Sequence, residues 1–333
     1  MIALDKTGRI VLVNRSAVEL LDLGAEDLVS REFKSAVTGG GVLDLYHKLM
    51  AAGESIDGVI NAPGNGRRIL DVHAARVVAG APGGIAVLIV LRDVTEIAGA
   101  AAMKAEFVAN ASHELRTPLA TIRAAAEALG EAGGSDPQTV EKVVAILQRH
   151  ITRLEQMTSD LLNLHLAEVT GAQLNLTDIS LASLADMVRE DHADPARSRR
   201  IELIVSVDPE DFVFASDATL LQLIVDNLLD NALKFTPAGG KVTAALTGDA
   251  DNVTLEIADT GCGMPPEIQD RVFERFFQAR ASRSGDAAVR GTGLGLAIVK
   301  HATDRLGGEV TLASRPDEGT TVTVTLPRAP RDV

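Results

Sequence analysis

The chain of 333 residues lacks the features on which several common classes of protein depend. Cys262 is its only cysteine, which excludes an intramolecular disulfide framework and a cysteine-rich metal site. The longest apolar run covers residues 85–91 and is far too short to span a bilayer. No two of the seven histidines have the spacing of metal ligands. With 46% hydrophobic residues the chain can instead close ordinary packed cores, and its length predicts two or three domains.

Positive charge is also scarce, since 32 lysines and arginines stand against 46 aspartates and glutamates. The formal net charge of −14 argues against a nucleic-acid partner and against binding to an anionic membrane surface. No charged and then apolar leader follows Met1, so the chain as written is predicted to be cytoplasmic. The first strand pattern begins near Ile2 without a polar lead-in. We therefore expect the natural protein to continue upstream, and an inner-membrane anchor would lie only in such a missing segment.

Residues 1–97 carry the pattern of an antiparallel sheet. Two strand-like runs within residues 2–14 flank a Lys-Thr-Gly turn, where Gly8 permits the chain to reverse. Short helical patterns follow. Three further strand-like runs, separated by turns rich in proline and glycine, cover residues 55–61, 67–78 and 84–92. This order, closed by Leu-Arg-Asp-Val-Thr-Glu at residues 91–96, resembles a PAS sensory domain, which implies a sheet with one cupped face.

Residues 98–169 are dominated by helix-forming residues in two heptad-like series. Apolar or small side chains recur at steps of three and four, first at Val108, Ser112, Leu115, Leu119, Ile122, Ala126 and Leu129, and then at Val140, Val144, Leu147, Ile151, Leu154, Thr158 and Leu161. The turn at residues 130–137, with Pro137 at the first helical position, predicts a helical hairpin. One hairpin has too little facing surface to close a core, so we predict that two chains form a homodimeric four-helix bundle.

His113 lies two places before the seam position Leu115, at the exposed edge of the first predicted helix. Glu114 is placed to hydrogen-bond one ring nitrogen, which leaves the other with its lone pair, and to take up a proton. Thr117 follows one turn later on the same face, where its hydroxyl could position a water molecule. Pro118 removes a backbone donor and is expected to bend the helix here. The other six histidines are interpreted as surface or packing residues.

The run Ser-His-Glu-Leu-Arg-Thr-Pro-Leu at residues 112–119 matches the H-box of sensor histidine kinases. By this resemblance His113 is the residue that becomes autophosphorylated, and Glu114 is the base that assists transfer. Thr117 completes the His-Glu-x-x-Thr pattern with which members of this family dephosphorylate their partner. The resemblance also implies that the phosphoryl group passes from His113 to an aspartate of a response regulator.

Residues 170–330 mix helical and strand patterns and lack two common nucleotide-binding loops. There is no Gly-x-x-x-x-Gly-Lys-Ser/Thr loop, and the glycines near residues 291–295 do not fit Gly-x-Gly-x-x-Gly. Asn227, Asn231 and Lys234 instead share one face of a predicted helix, and Phe235 follows them. Amide oxygens suit magnesium and a lysine suits phosphate, whereas unpaired amides buried in a core would be costly.

Two glycine-rich segments complete the nucleotide signals. The first places Asp259 at the end of a strand, where its carboxylate can accept from an exocyclic amine, and Gly261 and Gly263 let a base approach the backbone. The second opens a helix whose first amides and dipole suit a triphosphate, and it consists of Gly291, Thr292, Gly293, Leu294 and Gly295. Between the two, a phenylalanine-rich anchor at residues 272–277 precedes a polar stretch at residues 278–290, which is interpreted as a lid.

These segments together resemble the N, G1, F and G2 boxes of GHKL-type ATPase domains, in order and approximate spacing. The resemblance implies an α/β sandwich of a mixed sheet against helices, with ATP and Mg²⁺ as ligands. Asn231 would be the main magnesium ligand, supported by Asn227, and Lys234 would contact phosphate. Asp259 would select adenine through its amino group. Thr320, in a final and weaker box, would lie near the base.

The three zones predict a multidomain chain with an α+β PAS-like domain, a helical hairpin and an α/β ATP-binding domain. The last would swing on a linker at residues 168–172 until ATP reaches His113, which then becomes phosphorylated. The predicted partners are a second copy of the chain and a response regulator. Two alternatives remain open. One is a GHKL-type ATPase without phosphohistidine chemistry, and the other is a non-catalytic dimeric sensor scaffold with a decayed ATP site.

Overall fold

The computed structural model describes residues 1–24, 28–37, 40–63, 68–77, 84–131, 137–168, 173–278 and 291–329. The chain divides into two compact units, Met1–Ala109 and Asn110–Val333. Three predicted features lie wholly or mostly outside the described residues, namely the turn of the helical hairpin, the linker after Glu168 and the lid. None of the described helices is long and apolar enough to cross a membrane.

A five-stranded antiparallel sheet forms the first unit. Its elements in chain order are β1 (Ile2–Asp5), β2 (Ile10–Val13), α1 (Arg15–Leu20), α2 (Phe33–Ala36), α3 (Gly40–Ala52), β3 (Ser55–Asn61), β4 (Ile69–Arg76) and β5 (Ile85–Asp93). The strand order is β2-β1-β5-β4-β3, with antiparallel neighbours throughout the order. This arrangement confirms the α+β sheet predicted for the first zone.

Alternation of side chains along the strands builds the core of this unit. Leu70 and Val72 of β4 are buried, whereas the residues between and after them are exposed. Phe33 of α2 and Leu49 of α3 join the same buried cluster. Gly8, in the turn between β1 and β2, has a φ of 79°, which side chains other than glycine rarely adopt. The structure therefore confirms the hairpin predicted at residues 2–14, including the glycine in its turn.

Two long helices follow, α4 (Thr95–Glu131) and α5 (Pro137–Glu168). Helix α4 continues through Pro118, and α5 begins at Pro137 as its position in the sequence predicts. Within the single chain, side chains of the predicted seam are exposed, among them Leu119 at 60% and Ile151 at 46%. Helix α5 also has a second face, not anticipated from the heptads, on which Met157, Asp160, Leu164 and Ala167 are buried.

The remainder of the second unit is an α/β sandwich. Its elements are β6 (Leu176–Ser180), α6 (Leu181–Ser198), β7 (Glu202–Asp208), β8 (Val213–Asp217), α7 (Ala218–Phe235), β9 (Lys241–Gly248), β10 (Asn252–Asp259), α8 (Pro266–Gln269), α9 (Gly295–Arg305), β11 (Glu309–Arg315) and β12 (Gly319–Pro327). The main sheet has the order β11-β12-β10-β9-β7, in which β7 and β9 are parallel and the other neighbours are antiparallel. Strands β6 and β8 form a separate pair. The mixed sheet against helices is therefore confirmed.

Helix α7 is placed by a cap at its start and by an apolar stripe along its length. The carboxylate of Asp217 accepts from the backbone amides of Thr219 and Leu220 at 3.0 and 3.3 Å. Its stripe of leucines, isoleucine and valine packs in one core with β9, β10 and α9. Asn227 and Asn231 are only half-buried at the edge of this stripe. The packing of α7 therefore presents both amides at the border of the core.

Candidate active site

The exposed face of α4 carries the predicted phosphoacceptor. His113 is exposed, and the hydroxyl of Thr117 donates to the backbone carbonyl of His113 at 3.3 Å. Pro118 is buried, and it has no N–H with which to bond the carbonyl four residues earlier. Because the side chain of His113 is exposed, a large substrate can approach the imidazole from outside the helix.

Glu114 has a partner on the other helix of the hairpin. Nη2 of Arg153 on α5 donates to Oε2 of Glu114 at 3.3 Å, and the two side chains are 30% and 33% exposed. The predicted hydrogen bond from Glu114 to the ring of His113 stays a prediction, and in the structure one oxygen of this carboxylate contacts Arg153 across the hairpin. Because the pair is partly buried, it is screened less than a surface pair and restrains the orientation of Glu114.

Two amides of α7 face the start of α9. Nδ2 of Asn227 donates to the backbone carbonyl of Leu223 at 2.7 Å, and its Oδ1 points towards Gly295. A β-carbon placed on Gly295 would lie 2.9 Å from that Oδ1 and 3.4 Å from Nδ2 of Asn231. The lack of a side chain at Gly295 therefore keeps a small cradle open between the amides. Amide oxygens are hard ligands, so Oδ1 of Asn227 fits Mg²⁺, and a half-turn of the Asn231 amide would add a second oxygen at the same place.

Lys234 lies beside the glycine segment, residues 291–295. A β-carbon placed on Gly291 would be 2.6 Å from its Nζ. Burial lowers the pKa of Lys234, and the guanidinium groups of Arg199 and Arg153 lower it further. Its Nζ lies 5.2 Å from the centre of the Phe235 ring, which is 44% exposed. The ammonium is thus partly desolvated, where its attraction to a phosphate is strengthened.

Asp259 ends β10 in a turn built on glycines. Its Oδ1 accepts from the backbone amides of Gly261 at 2.7 Å and Thr320 at 3.3 Å. Burial raises the pKa of Asp259, and these two hydrogen bonds lower it in part. Gly263 has a φ of 60°, and a β-carbon there would lie 1.8 Å from the backbone carbonyl oxygen of Arg315. With Oδ1 held by the backbone, the carboxyl can present Oδ2 to the amino group of a base.

Ser314 on β11 braces this turn and has no counterpart among the residues predicted from the sequence. Its hydroxyl accepts from the amide of Met264 at 2.8 Å and lies 2.9 Å from the hydroxyl of Thr320. Gln269 donates to the carbonyls of Met264 and Ser314 at 3.0 and 2.8 Å. A single serine on an alternating strand gives no distinctive signal, so this role is visible only in three dimensions.

The glycine segment packs against the phenylalanine-rich anchor. Gly293 has a φ of 75°, and a β-carbon there would lie 2.7 Å from the carbonyl carbon of Phe276. Nε2 of Gln278 donates to the carbonyl of Gly291 at 2.9 Å. Leu294 is buried and supplies no side-chain cap to α9. The first amides of α9 and its dipole therefore remain suited to an anion.

Helix α5 meets the glycine segment through a buried carboxyl group. Oγ1 of Thr292 donates to Oδ2 of Asp160 at 2.5 Å, and Nε2 of Gln156 donates to Oδ1 at 2.8 Å. Burial raises the pKa of Asp160, and the two hydrogen bonds oppose that shift. At the end of α5, Glu168 forms an ion pair with Arg275, with 2.9 Å between Oε1 and Nη2. The aspartate at position 160, within an apolar helical series, could have indicated a buried polar contact. Spacing along the helix does not show that the partner is Thr292.

Most predicted nucleotide residues thus converge on three pieces of the second unit, namely α7, the turn after β10 and the glycine segment. Thr320 reaches the same place from β12, through its bond to Asp259. His113, Glu114 and Thr117 lie on α4 of the same unit.

Three family models match successive parts of the chain. The PAS fold matches residues 1–98, and the His Kinase A (phospho-acceptor) domain matches residues 103–168. The histidine kinase-, DNA gyrase B- and HSP90-like ATPase matches residues 216–330. A sensory fold, a phosphoacceptor hairpin and an ATPase fold in one chain define a class of signalling proteins. The chain carries the three domains that sensor histidine kinases of two-component systems combine, and it is similar to proteins with that name.

Relatives with this organisation are similar along much of the chain. Sensor histidine kinase WalK of Bacillus subtilis is 31% identical over 336 residues, which cover 98% of this chain and 53% of WalK. Sensor-like histidine kinase SenX3 of Mycobacterium tuberculosis is 34% identical over 263 residues, which cover 79% of this chain and 63% of SenX3. The chain therefore spans less than two thirds of the length of either relative.

Solved structures show the same fold. Full-length ShkA in complex with AMPPNP is 28% identical, with a TM-score of 0.50 over 68% of this chain and 47% of ShkA. Histidine kinase ThkA in complex with response regulator protein TrrA is 22% identical, with a TM-score of 0.57 over 99% of this chain and 95% of ThkA. At that identity the second likeness speaks for the fold alone.

Proposed function

We propose that this chain is an ATP-dependent protein histidine kinase that phosphorylates itself on His113. One observation carries the proposal. An exposed imidazole, followed in the chain by a carboxylate that Arg153 restrains, lies in the same compact unit as an open cradle of amides at Gly295. The similarity to WalK and SenX3 supports it. A plain ATPase has no use for the first feature, and a decayed scaffold has no use for the second.

The base of ATP is assigned to the turn after β10. The carboxyl of Asp259 would accept from the exocyclic amino group of adenine, since its Oδ1 is already held by two backbone amides. Gly261 and Gly263 keep the approach to this backbone clear. Thr320 would lie beside the base, and the exposed ring of Phe235 is assigned to the same end of the nucleotide.

The triphosphate is assigned to the glycine segment and to Lys234. The amides of Gly291, Thr292, Gly293, Leu294 and Gly295 would donate to phosphate oxygens, and the partly desolvated ammonium would balance their charge. Asn231, supported by Asn227, would hold Mg²⁺ in the cradle at Gly295. The metal ion, when bound, supplies charge neutralisation along the triphosphate.

The transfer step moves one phosphoryl group from ATP to the imidazole. A ring nitrogen of His113 attacks the γ-phosphorus, the new N–P bond forms as the bond from the γ-phosphorus to the bridging oxygen breaks, and ADP leaves. The proton on the other ring nitrogen passes to Glu114, the nearest carboxylate along α4. Positioning and charge neutralisation provide most of the rate, because little other covalent chemistry is needed.

Two protein partners complete the proposal. The phosphoryl group on His113 would pass to an aspartate of a response regulator, and Thr117 would position a water molecule when the kinase dephosphorylates that partner. A second copy of the chain would cover the exposed apolar side chains of the hairpin, including Leu119 and Ile151. A contiguous apolar surface of this kind is unfavourable in water, and pairing two hairpins would bury it in a four-helix bundle.

Incubation of the full chain with ATP labelled on the γ-phosphate tests the proposal. We expect the wild type to become labelled and His113→Gln to remain unlabelled. His165→Gln, a matched change at an exposed histidine of α5, should label like the wild type. Equal labelling of His113→Gln would refute the assignment. Steady phosphate release without protein-bound label would favour a plain ATPase, and absence of ATP binding in calorimetry would favour a scaffold.

A further inference from the structure

The contact between Asp160 and Thr292 places a carboxylate at the proposed phosphate site. Asp160 is 6% exposed, and both of its oxygens accept short hydrogen bonds, from Thr292 and from Gln156. The two contacting residues are 132 positions apart in the chain. This is a built contact between the phosphoacceptor hairpin and the glycine segment, because burying a carboxyl group at this depth is costly unless its oxygens accept hydrogen bonds, and here both oxygens do.

Asp160 is bound by a residue of the glycine segment, Thr292, and lies near Lys234, and the proposed function gives that segment and that lysine to the phosphates of ATP. The hydroxyl of Thr292 donates to Asp160 and accepts from the amide of Leu294 at 3.3 Å, so its single proton is already used. The positive charge of Lys234 also acts on Asp160, alongside the negative charge of Asp230. The amides at the start of α9 follow directly after Thr292. An incoming phosphate would therefore meet a like charge and a hydroxyl donor that is already engaged.

Resting on the proposed function, we propose that the carboxylate of Asp160 is an internal anionic competitor of the nucleotide phosphates. Contact of α5 with the glycine segment and binding of the triphosphate are mutually opposed. By linkage, any nucleotide that displaces Asp160 loosens the glycine segment from α5 to the same extent that Asp160 weakens the nucleotide. Nucleotide binding is thereby coupled to release of the ATP-binding sandwich from the hairpin that carries His113.

Nucleotide affinity of the full chain tests this competition. Asp160→Asn removes the charge while keeping a side chain of similar size that can still accept from Thr292, and Asp160→Ala is a second neutral variant. Glu155→Gln makes the same change in net charge at an exposed position of α5 and serves as the matched control. The probes are Mg·ADP, Mg·AMPPNP and adenosine, which has the base but no phosphate. Calorimetry measures the first two, and competition against Mg·ADP measures the third.

We expect both Asp160 variants to bind Mg·ADP and Mg·AMPPNP about tenfold more tightly than the wild type, towards the lower end of the usual range of coupling between sites. Adenosine should bind all proteins equally, and Glu155→Gln should match the wild type. Unchanged Mg·ADP affinity in the Asp160 variants would overturn the inference. An equal gain for adenosine, or an equal gain in Glu155→Gln, would overturn it as well. Failure of every protein to bind any probe would instead overturn the proposed function, and the inference with it.

Discussion

Replacing Gly263 with alanine is expected to disrupt the base end of the nucleotide site. The backbone at Gly263 has a φ of 60°, and the added β-carbon would lie 1.8 Å from the carbonyl oxygen of Arg315 and 3.1 Å from that of Gly319. The first distance is far below van der Waals contact, and its partner is backbone that cannot rotate away. The turn after β10 must therefore move away from the β11–β12 hairpin, and Asp259 must move with it.

Gly239→Ala is the matched control for this prediction. Gly239 has a φ of 88°, but among the described residues no heavy atom other than those of its chain neighbours lies within 4 Å of a β-carbon placed there. Both variants incur the cost of a left-handed backbone, about 1–2 kcal/mol. Only Gly263→Ala also adds a steric clash. Overpacking of this kind typically destabilises the fold by about 1–3 kcal/mol more. The difference between the two variants isolates the close approach at Gly263 from the strain that they share.

Thermal unfolding and nucleotide binding measure the two consequences. Both glycines lie in the unit Asn110–Val333. For a unit of this length, roughly 2–4 °C of melting temperature corresponds to 1 kcal/mol of stability, so Gly263→Ala should melt about 2–12 °C below Gly239→Ala. Its affinity for ATP should fall by at least about tenfold, which corresponds to 1.4 kcal/mol, whereas the control should bind like the wild type. Equal melting temperatures and equal affinities in the two variants would refute the reasoning about the backbone contact.

Three further predictions follow from individual side chains. Asp259→Asn should weaken ATP binding roughly ten- to hundredfold, because a hydrogen bond to a charged group is lost, while weak GTP binding changes little in the same calorimetric titration. Arg153→Gln should slow labelling of His113 at saturating ATP by up to about a hundredfold by misplacing Glu114, and Arg153→Lys should recover part of the rate. An equal loss in Arg149→Gln would contradict this. Burial raises the pKa of Asp160, so protonation of its carboxyl group favours the folded state. This stabilising contribution is fully present below about pH 4 and is lost as the pH rises through the pKa that Asp160 has in the folded protein. The melting temperature of Asp160→Asn should therefore gain on that of the wild type between pH 4 and pH 7, and a constant gap would exclude the effect.

Periodicity and turn chemistry predicted individual strands, helices and turns because both act locally, whereas the PAS-like sheet and the α/β sandwich were implied by the family resemblances. β3 spans Ser55–Asn61 as its alternating pattern predicts, and α5 starts at Pro137, whose fixed φ favours a first helical position. Gly8 has the positive φ that its turn demands. The face shared by Asn227 and Asn231 follows from helical spacing in the same way, and the structure brings both amides to the start of α9. Their roles in binding stay predictions.

The contacts that join distant segments could not be predicted in this manner. Arg153 meets Glu114 across 39 residues, and Asp160 meets Thr292 across 132. Both are ordinary charged residues on a helix, and their spacing indicates a face without indicating which segment packs on it. The heptad series of α5 accounts for one apolar face, whereas burial of Met157 and Leu164 shows a second face that packs within the same unit. Only the tertiary arrangement distinguishes these two surfaces.

Locating the phosphoryl group after incubation with Mg·ATP tests the central claim most directly. The phosphorylated chain would be digested and its modified peptide identified by mass spectrometry, with stability in base and acid measured in parallel. The account predicts one modified site, His113, whose N–P bond survives base and is lost in acid. A label that survives acid, or one that lies on a residue other than His113, would contradict it.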